Sequence, residues 1–312
     1  MKIIISGATG VIGRRVVPLL MNDGHRVTAL VRPGCRRRSL LPRGCAVVEG
    51  SLFDRARLTV AVAGHEVVVN LATHIPKSSL GLMLRAAWRE NNRIRSEGAR
   101  KLAVAAADGG ARTLIQESFG YAYPGLGMLW IDEEQALRPA AHCRGVLDAE
   151  AAARAFGGRG GRGIILRFAA FYGADADQTR TMVQGVRHGW AMLPGDPAGF
   201  ISSVSHEDAA TAVVAALKAP SGAYNVADDC PVSHAEFCAV LAATLDQPEP
   251  RFFPAWTAAL MGSAGRTLAR SIRLRNDKLR RLTGWRPLFP SVREGLPGAL
   301  KPANRAAQSA RG

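Results

Sequence analysis

Lysine is scarce in this chain. Only six occur in 312 residues, at positions 2, 77, 101, 218, 278 and 301, so the formal net charge of +16 is carried almost wholly by arginine. The arginines are spread out, apart from Arg36-Arg37-Arg38 and the stretch from Arg273 to Arg281. Aromatic residues make up 6% of the chain and form no stacking platform interleaved with the basic residues. That pattern argues against a nucleic-acid partner and for anionic cofactors or substrates. No apolar run is long enough to span a bilayer, which argues against a membrane partner. The five cysteines, Cys35, Cys45, Cys143, Cys230 and Cys238, are odd in number, scattered and without a C-x-x-C pair. Reduced thiols in a cytoplasmic protein are expected, with no disulfide frame and no zinc site. No acidic residue occurs between Asp23 and Glu49, and no internal repeat is visible. With 47% hydrophobic residues the composition is that of a folded globule. The first strand is expected to start at residue 2, so no signal peptide is expected.

The N-terminus supplies the main signal. Lys2-Ile3-Ile4-Ile5 is a short apolar run, followed by Ser6-Gly7-Ala8-Thr9-Gly10-Val11-Ile12-Gly13 and then a helical pattern. A buried strand running through a glycine-rich turn into a helix N-terminus is a phosphate cradle. Gly7 permits the tight turn, Gly10 lets the backbone approach a pyrophosphate, and Gly13 lets helix and strand pack closely. Thr9, Val11 and Ile12 complete the turn. Further strands are expected at Arg26 to Val31, Ala46 to Glu49, Glu66 to Leu71, Thr113 to Gln116 and Ile164 to Phe168. A long helical stretch lies at Leu82 to Ala107 and another helix at Asp148 to Phe156. This alternation predicts an α/β fold, a Rossmann-type doubly wound parallel sheet with a small C-terminal substrate lobe. Residues 1–173 form the nucleotide-binding domain, to which 203–228 return. Residues 174–202 and 229–300 form the smaller lobe, and 301–312 a disordered tail. Ser233 and Glu236 read as a capping box opening a helix to Leu245.

Six blocks resemble the extended short-chain dehydrogenase/reductase superfamily, in the same order: Gly7 to Gly13, Val67 to Ala72, Thr113 to Ser118, Ile164 to Gly173, Ser203 to Leu217 and Leu282 to Leu296. The resemblance runs over nearly the whole chain. It implies a nicotinamide cofactor, with Asn70, Leu71 and Ala72 passing the nicotinamide ribose. The family's acidic adenine contact aligns with Ser51, next to Leu52, a departure that weakens adenine hydrogen bonding. An NAD site usually carries an acid at the end of strand two. Here that strand ends at Arg32, followed by Arg36 to Arg38, and a guanidinium fork suits a 2′-phosphate. NADPH is therefore expected over NADH. Arg32 is the leading candidate, assisted by Arg36 or a neighbour, with a solvated basic loop as the competing reading.

The family's Tyr-x-x-x-Lys pair is missing. The four tyrosines, Tyr121, Tyr123, Tyr172 and Tyr224, are followed four residues on by Gly125, Gly127, Ala176 and Asp228. In the family the lysine holds the ribose, while the tyrosine moves a proton to or from the carbonyl oxygen. Anchoring on Glu150 puts His142 in the tyrosine slot and Val146 in the lysine slot. His142 is the candidate replacement acid, against a packing role. Ser118 is the candidate hydroxyl, although the family's active position alternatively aligns with Phe119. His74, Phe119, Tyr121 and Phe168 are candidate substrate contacts, with core packing as the competing reading for the aromatics.

Three functions compete. The first is an NADPH-dependent ketoreductase acting on an aromatic, polyketide-type ketone, without the usual pair. Atypical family reductases of that kind are similar. The second is a sugar-nucleotide epimerase or dehydratase, which the absent tyrosine disfavours. The third is a non-enzymatic NADP(H)-binding regulator. The family also suggests a homodimer packed through the helices around 90–107 and 145–156.

Overall fold

The computed structural model describes residues 1–76 and 79–300. The expected tail at 301–312 lies outside the described residues. Thirteen α-helices and eleven strands are found among the described residues, and the first half runs β1 (Lys2–Ser6), α1 (Gly13–Asn22), β2 (Arg26–Val31), β3 (Ala46–Glu49), α2 (Arg55–Val62), β4 (Val67–Asn70), α3 (Ser79–Met83), α4 (Arg89–Arg93), α5 (Ala99–Asp108), β5 (Thr113–Phe119), α6 (Gly145–Gly157) and β6 (Arg162–Phe168). There follow β7 (Ala170–Tyr172), α7 (Asp177–Arg187), β8 (Phe200–Ile201), β9 (Ser203–Ser205), α8 (His206–Ala215), β10 (Gly222–Val226), β11 (Val232–Ser233), α9 (His234–Thr244), α10 (Thr257–Leu260), α11 (Gly262–Leu268), α12 (Asp277–Thr283) and α13 (Val292–Leu300).

Seven strands form one sheet in the order β10-β6-β5-β4-β1-β2-β3, every pair parallel. The register stacks Ile5 beside both Ala29 and Val69, and Val69 beside Ile115. Alternate side chains of each strand go to opposite faces, so both faces must be covered. Ile3, Ile5, Val69 and Ile115 join one core with Val16, Val17 and Ala209 from α1 and α8. Ile4, Val68, Leu114 and Ile165 join the other with Leu58, Leu102 and Ala153 from α2, α5 and α6. The chain leaves β1 toward β2 and β3 on one side and β4 on the other. The crevice at that reversal, outside the carboxyl ends of the strands, is where such sheets bind ligands.

Two local expectations change. The helical stretch from Leu82 is not continuous: Leu84 is extended (φ −85°, ψ 115°), a 3-10 turn covers Arg85–Trp88, and a π turn covers Ile94–Gly98 between α4 and α5. The capping box is half formed. Ser233 Oγ accepts from Glu236 N–H at 3.0 Å, but the Glu236 carboxylate reaches Arg293 Nε at 2.7 Å on the loop and helix beyond. A full charge partner holds a carboxylate better than a backbone amide does.

Candidate active site

The glycine turn closes as a single backbone loop. Gly10 N–H donates to Gly7 O at 3.0 Å, and Arg14 N–H to Gly10 O at 3.1 Å. Gly7 adopts φ +84°, and a Cβ there would sit 2.6 Å from the Leu71 carbonyl. A Cβ on Gly13 would sit 2.2 Å from Gly7 O. Both positions are closed to any side chain. At Gly10 the nearest atom to a Cβ is Gly7 O, at 3.1 Å, so the side away from the turn is open. An open Gly10 face beside the N–H groups of α1 leaves room for a pyrophosphate.

The basic loop folds onto this turn. Cys35 Sγ lies 4.0 Å from Thr9 Oγ1, and Arg36–Leu40 form a 3-10 turn. Arg32 and Arg36 are exposed. Arg14 is a cation of this region that the sequence reading passed over. Burial, then the charges of Arg15 and Arg37, pull its pKa below the ordinary guanidinium value. Arg37 is therefore the member of the arginine run whose field reaches α1. Arg14 pairs with Asp175, and Arg15 donates to Asp175 and Glu207 at 2.9 and 3.0 Å. Asp175 also accepts from or faces His206 Nδ1 at 2.7 Å. Ser51 Oγ accepts from Phe53 N–H at 3.2 Å, and Leu52 packs on Gly98, where a Cβ would lie 3.2 Å from Leu52 Cβ.

At the ends of β4 and β5 the side chains are committed to one another. Asn70 is buried; it donates to Gln116 Oε1 at 2.9 Å and accepts from Ala72 N–H at 3.3 Å. Leu71 N–H donates to Ser6 O at 2.9 Å, which ties the segment beneath the glycine turn. His74 is exposed, and its N–H donates to Asn91 Oδ1 at 2.9 Å.

The expected catalytic pair does not assemble. Ser118 is fully buried, and its hydroxyl donates to Glu150 Oε1 at 2.6 Å. Glu150 is also gripped by Arg167 Nε and Nη2, both at 2.8 Å, and Arg167 donates to Tyr123 Oη at 2.5 Å. Burial pushes the Glu150 carboxyl up, but Arg167, Ser118 and Arg154 together bring it below the usual range. Ser118 thus belongs to a buried ionic cluster joining β5, β6 and α6, and this corrects its reading as the hydroxyl facing a carbonyl. His142 is 4% exposed, packs edge-on against Trp88 at 4.5 Å, and its Nδ1 lies 3.0 Å from Ser263 Oγ. Burial, with Arg270 nearby, lowers its pKa to about 4. A neutral imidazole is a poor acid at neutral pH, which corrects the expectation of a donor poised near 7. Tyr121 and Phe168, at 3% and 2% exposure, are core residues rather than substrate contacts. Phe119 is half-buried at the end of β5 and stacks on Tyr121 at 5.7 Å. Val146, at the start of α6, is fully buried.

Two surface cavities lie elsewhere. One of about 290 Å³ is lined by Trp130, Asp229, Arg275 and Arg280, the other, of about 400 Å³, by Lys2, His25 and His65. Neither includes a residue of the glycine turn.

The sequence missed a second buried pair. Arg95, on the π turn, donates to Glu117 Oε1 on β5 at 2.5 Å. A carboxylate inside an almost wholly buried parallel strand (Thr113–Phe119) was the available signal, because such a charge needs a buried partner.

Comparison with known proteins agrees with this geometry. Residues 7–220 match the NAD(P)H-binding family. A 3-diazoavenalumate denitrifying reductase from a Streptomyces species is 34% identical over 95% of this chain and 99% of its own. A human epimerase family protein solved with NADPH superposes with TM-score 0.81 at 20% identity, over 96% of this chain and 99% of its own. A UDP-glucose 4-epimerase from Thermotoga maritima does so with TM-score 0.80 at 20% identity, over 98% and 100%. Among the described residues no helix is long and apolar enough to cross a membrane. Glycine turn, seven-stranded parallel sheet and these similarities place the chain in the NAD(P)H-binding family, with the fold of the extended short-chain dehydrogenases/reductases.

Proposed function

We propose that this protein is an NADPH-dependent reductase that delivers hydride to an aromatic acceptor needing no acid from the protein. One observation carries this reading. The sequence holds no Tyr-x-x-x-Lys pair, and His142, the candidate for the tyrosine's place, is buried against Trp88 with its pKa lowered to about 4. NADPH bound at the glycine turn would supply the hydride, and Arg32 with Arg37 would hold its 2′-phosphate.

An arenediazonium fits such a site. Its ring gains the hydride, the C–N bond breaks, N₂ leaves, and the positive charge passes to NADP⁺, so no proton is required. The full-length similarity to a denitrifying reductase named for a diazo carboxylate favours this acceptor. The net charge of +16 favours an anionic one. Reduction of an aromatic polyketide-type ketone is the second reading. It suits a ketone whose alkoxide is protonated by its own neighbouring phenol and by water.

One experiment separates the readings. The protein is incubated with NADPH deuterated at nicotinamide C4 and a panel of phenolic diazo carboxylates and polycyclic hydroxyketones. Deuterium on a ring carbon, with N₂ release, establishes the diazo reading. Deuterium on a carbinol carbon establishes the ketone reading. NADPH binding with no label in any product overturns both and leaves a regulator.

A further inference from the structure

Three segments meet at the carboxyl ends of β4 and β5, and one helical face knits them together. Asn91 Oδ1 accepts from His74 N–H at 2.9 Å, which holds the segment after β4. Asn92 donates to His142 O at 2.8 Å and accepts from Gly145 N–H at 3.0 Å, which holds the turn into α6. Arg95 reaches the end of β5 through Glu117.

This corner is under-satisfied. Asn91 Nδ2, Arg95 Nε and Glu117 Oε2 are all buried without a hydrogen-bond partner. A buried polar atom with no partner is destabilising, so each orphan calls for one. Asn91 is 0%, Arg95 3% and Glu117 8% exposed, so ordinary solvation does not satisfy them. The π turn at Ile94–Gly98 carries Arg95, and single π turns inside α-helices concentrate at functional sites. Unpaired N–H groups on Asn91 and Arg95 and an unpaired oxygen on Glu117 together offer what a vicinal diol needs, because its two hydroxyls both donate and accept.

The geometry points to the Arg95–Glu117 pair, with Asn91, as the group that holds the nicotinamide ribose diol in place of the absent lysine. This rests on the NADPH reading above. Burial holds the Glu117 carboxyl above the usual range, and the Arg95 guanidinium beside it works in the opposite direction. The pair positions the cofactor; it takes no part in proton transfer.

The test compares whole NADPH with adenosine 2′,5′-bisphosphate, which lacks the nicotinamide half, by titration calorimetry. In Arg95→Gln/Glu117→Gln, chosen to leave no unpaired charge, NADPH binding weakens by about tenfold to a hundredfold, the loss of one or two hydrogen bonds to charged groups. Binding of the bisphosphate is unchanged. Equal weakening of both ligands, or of neither, overturns the proposal. A second arm leaves the protein unaltered and uses NADPH whose nicotinamide ribose is 3′-deoxy. The expected result is a similar loss of affinity; equal binding of the two cofactors overturns the proposal even if the variant fails to fold. Failure of the unaltered protein to bind NADPH would instead overturn the cofactor reading, and the proposal with it.

Discussion

At the scale of single residues, the cofactor end and the reaction end of the crevice behave differently. Arg32 is exposed just past the end of β2, with no acid on β2 or on the loop that follows up to Glu49. Its replacement by alanine is expected to weaken NADPH by about tenfold to a hundredfold, the loss of a charge-assisted contact, and to leave NADH nearly unchanged. Fluorescence titration with both cofactors checks this, and an equal loss with each would contradict a 2′-phosphate contact. His142 is expected to be dispensable for proton transfer. His142→Phe should reduce turnover by less than about tenfold, whereas removing a working general acid costs about a hundredfold or more. A flat kcat–pH profile in the parent between pH 5 and 8 would accompany that result. Gly7→Ala is expected to abolish NADPH binding, because the residue sits at φ +84° with the Leu71 carbonyl 2.6 Å from its missing Cβ.

At the scale of elements, β5 carries two buried charge systems on successive residues. Glu117 leads to Arg95 on the helical face that borders the crevice. Ser118 leads to Glu150 and Arg167, which weld β5, β6 and α6. The second system is structural. Glu150→Ala leaves Arg167 charged and 4% exposed, and is expected to cost about 3–5 kcal/mol of stability, read by urea denaturation. Ser118→Ala removes only one donor to Glu150 and is expected to cost about 1 kcal/mol with turnover preserved. A large loss of turnover in well-folded Ser118→Ala would restore that hydroxyl to the chemistry. Much of the sheet was legible beforehand: the strand positions, their parallel pairing and the glycine turn follow from apolar runs and a motif of fixed spacing. The catalytic candidates were not legible in the same way. Parity along β5 says that residues 117 and 119 share a face and that 118 takes the other, but only the tertiary packing says which face meets the crevice and which meets α6.

At the scale of the whole molecule, stability is expected to depend on buried histidine. His142 has its pKa lowered to about 4 by burial and Arg270, against 6.5 when unfolded. Between those values the unfolded state binds more protons, so stability rises with pH there. Its contribution is fully present above about 6.5 and lost as pH falls through about 4. The slope approaches about 1.4 kcal/mol per pH unit for this residue. Thermal unfolding followed from pH 7 to pH 4, in the parent and in His142→Phe, should show a shallower decline in the variant.

The amino-acid sequence by itself determined the fold class, the glycine turn between β1 and α1 and the absence of the tyrosine–lysine pair. Those features are written in local order: period-two and near-continuous apolar strands, glycines at set spacings, and residue types that are present or missing. Only the tertiary structure decided that Ser118, Tyr121 and Phe168 are packed away, that His142 is a neutral imidazole against Trp88 and Ser263, and that Arg95 meets Glu117 across 22 positions of chain. Burial and pairing of charges depend on groups distant in sequence, and the free energy of an ionised side chain is set by those neighbours rather than by its own position in the chain.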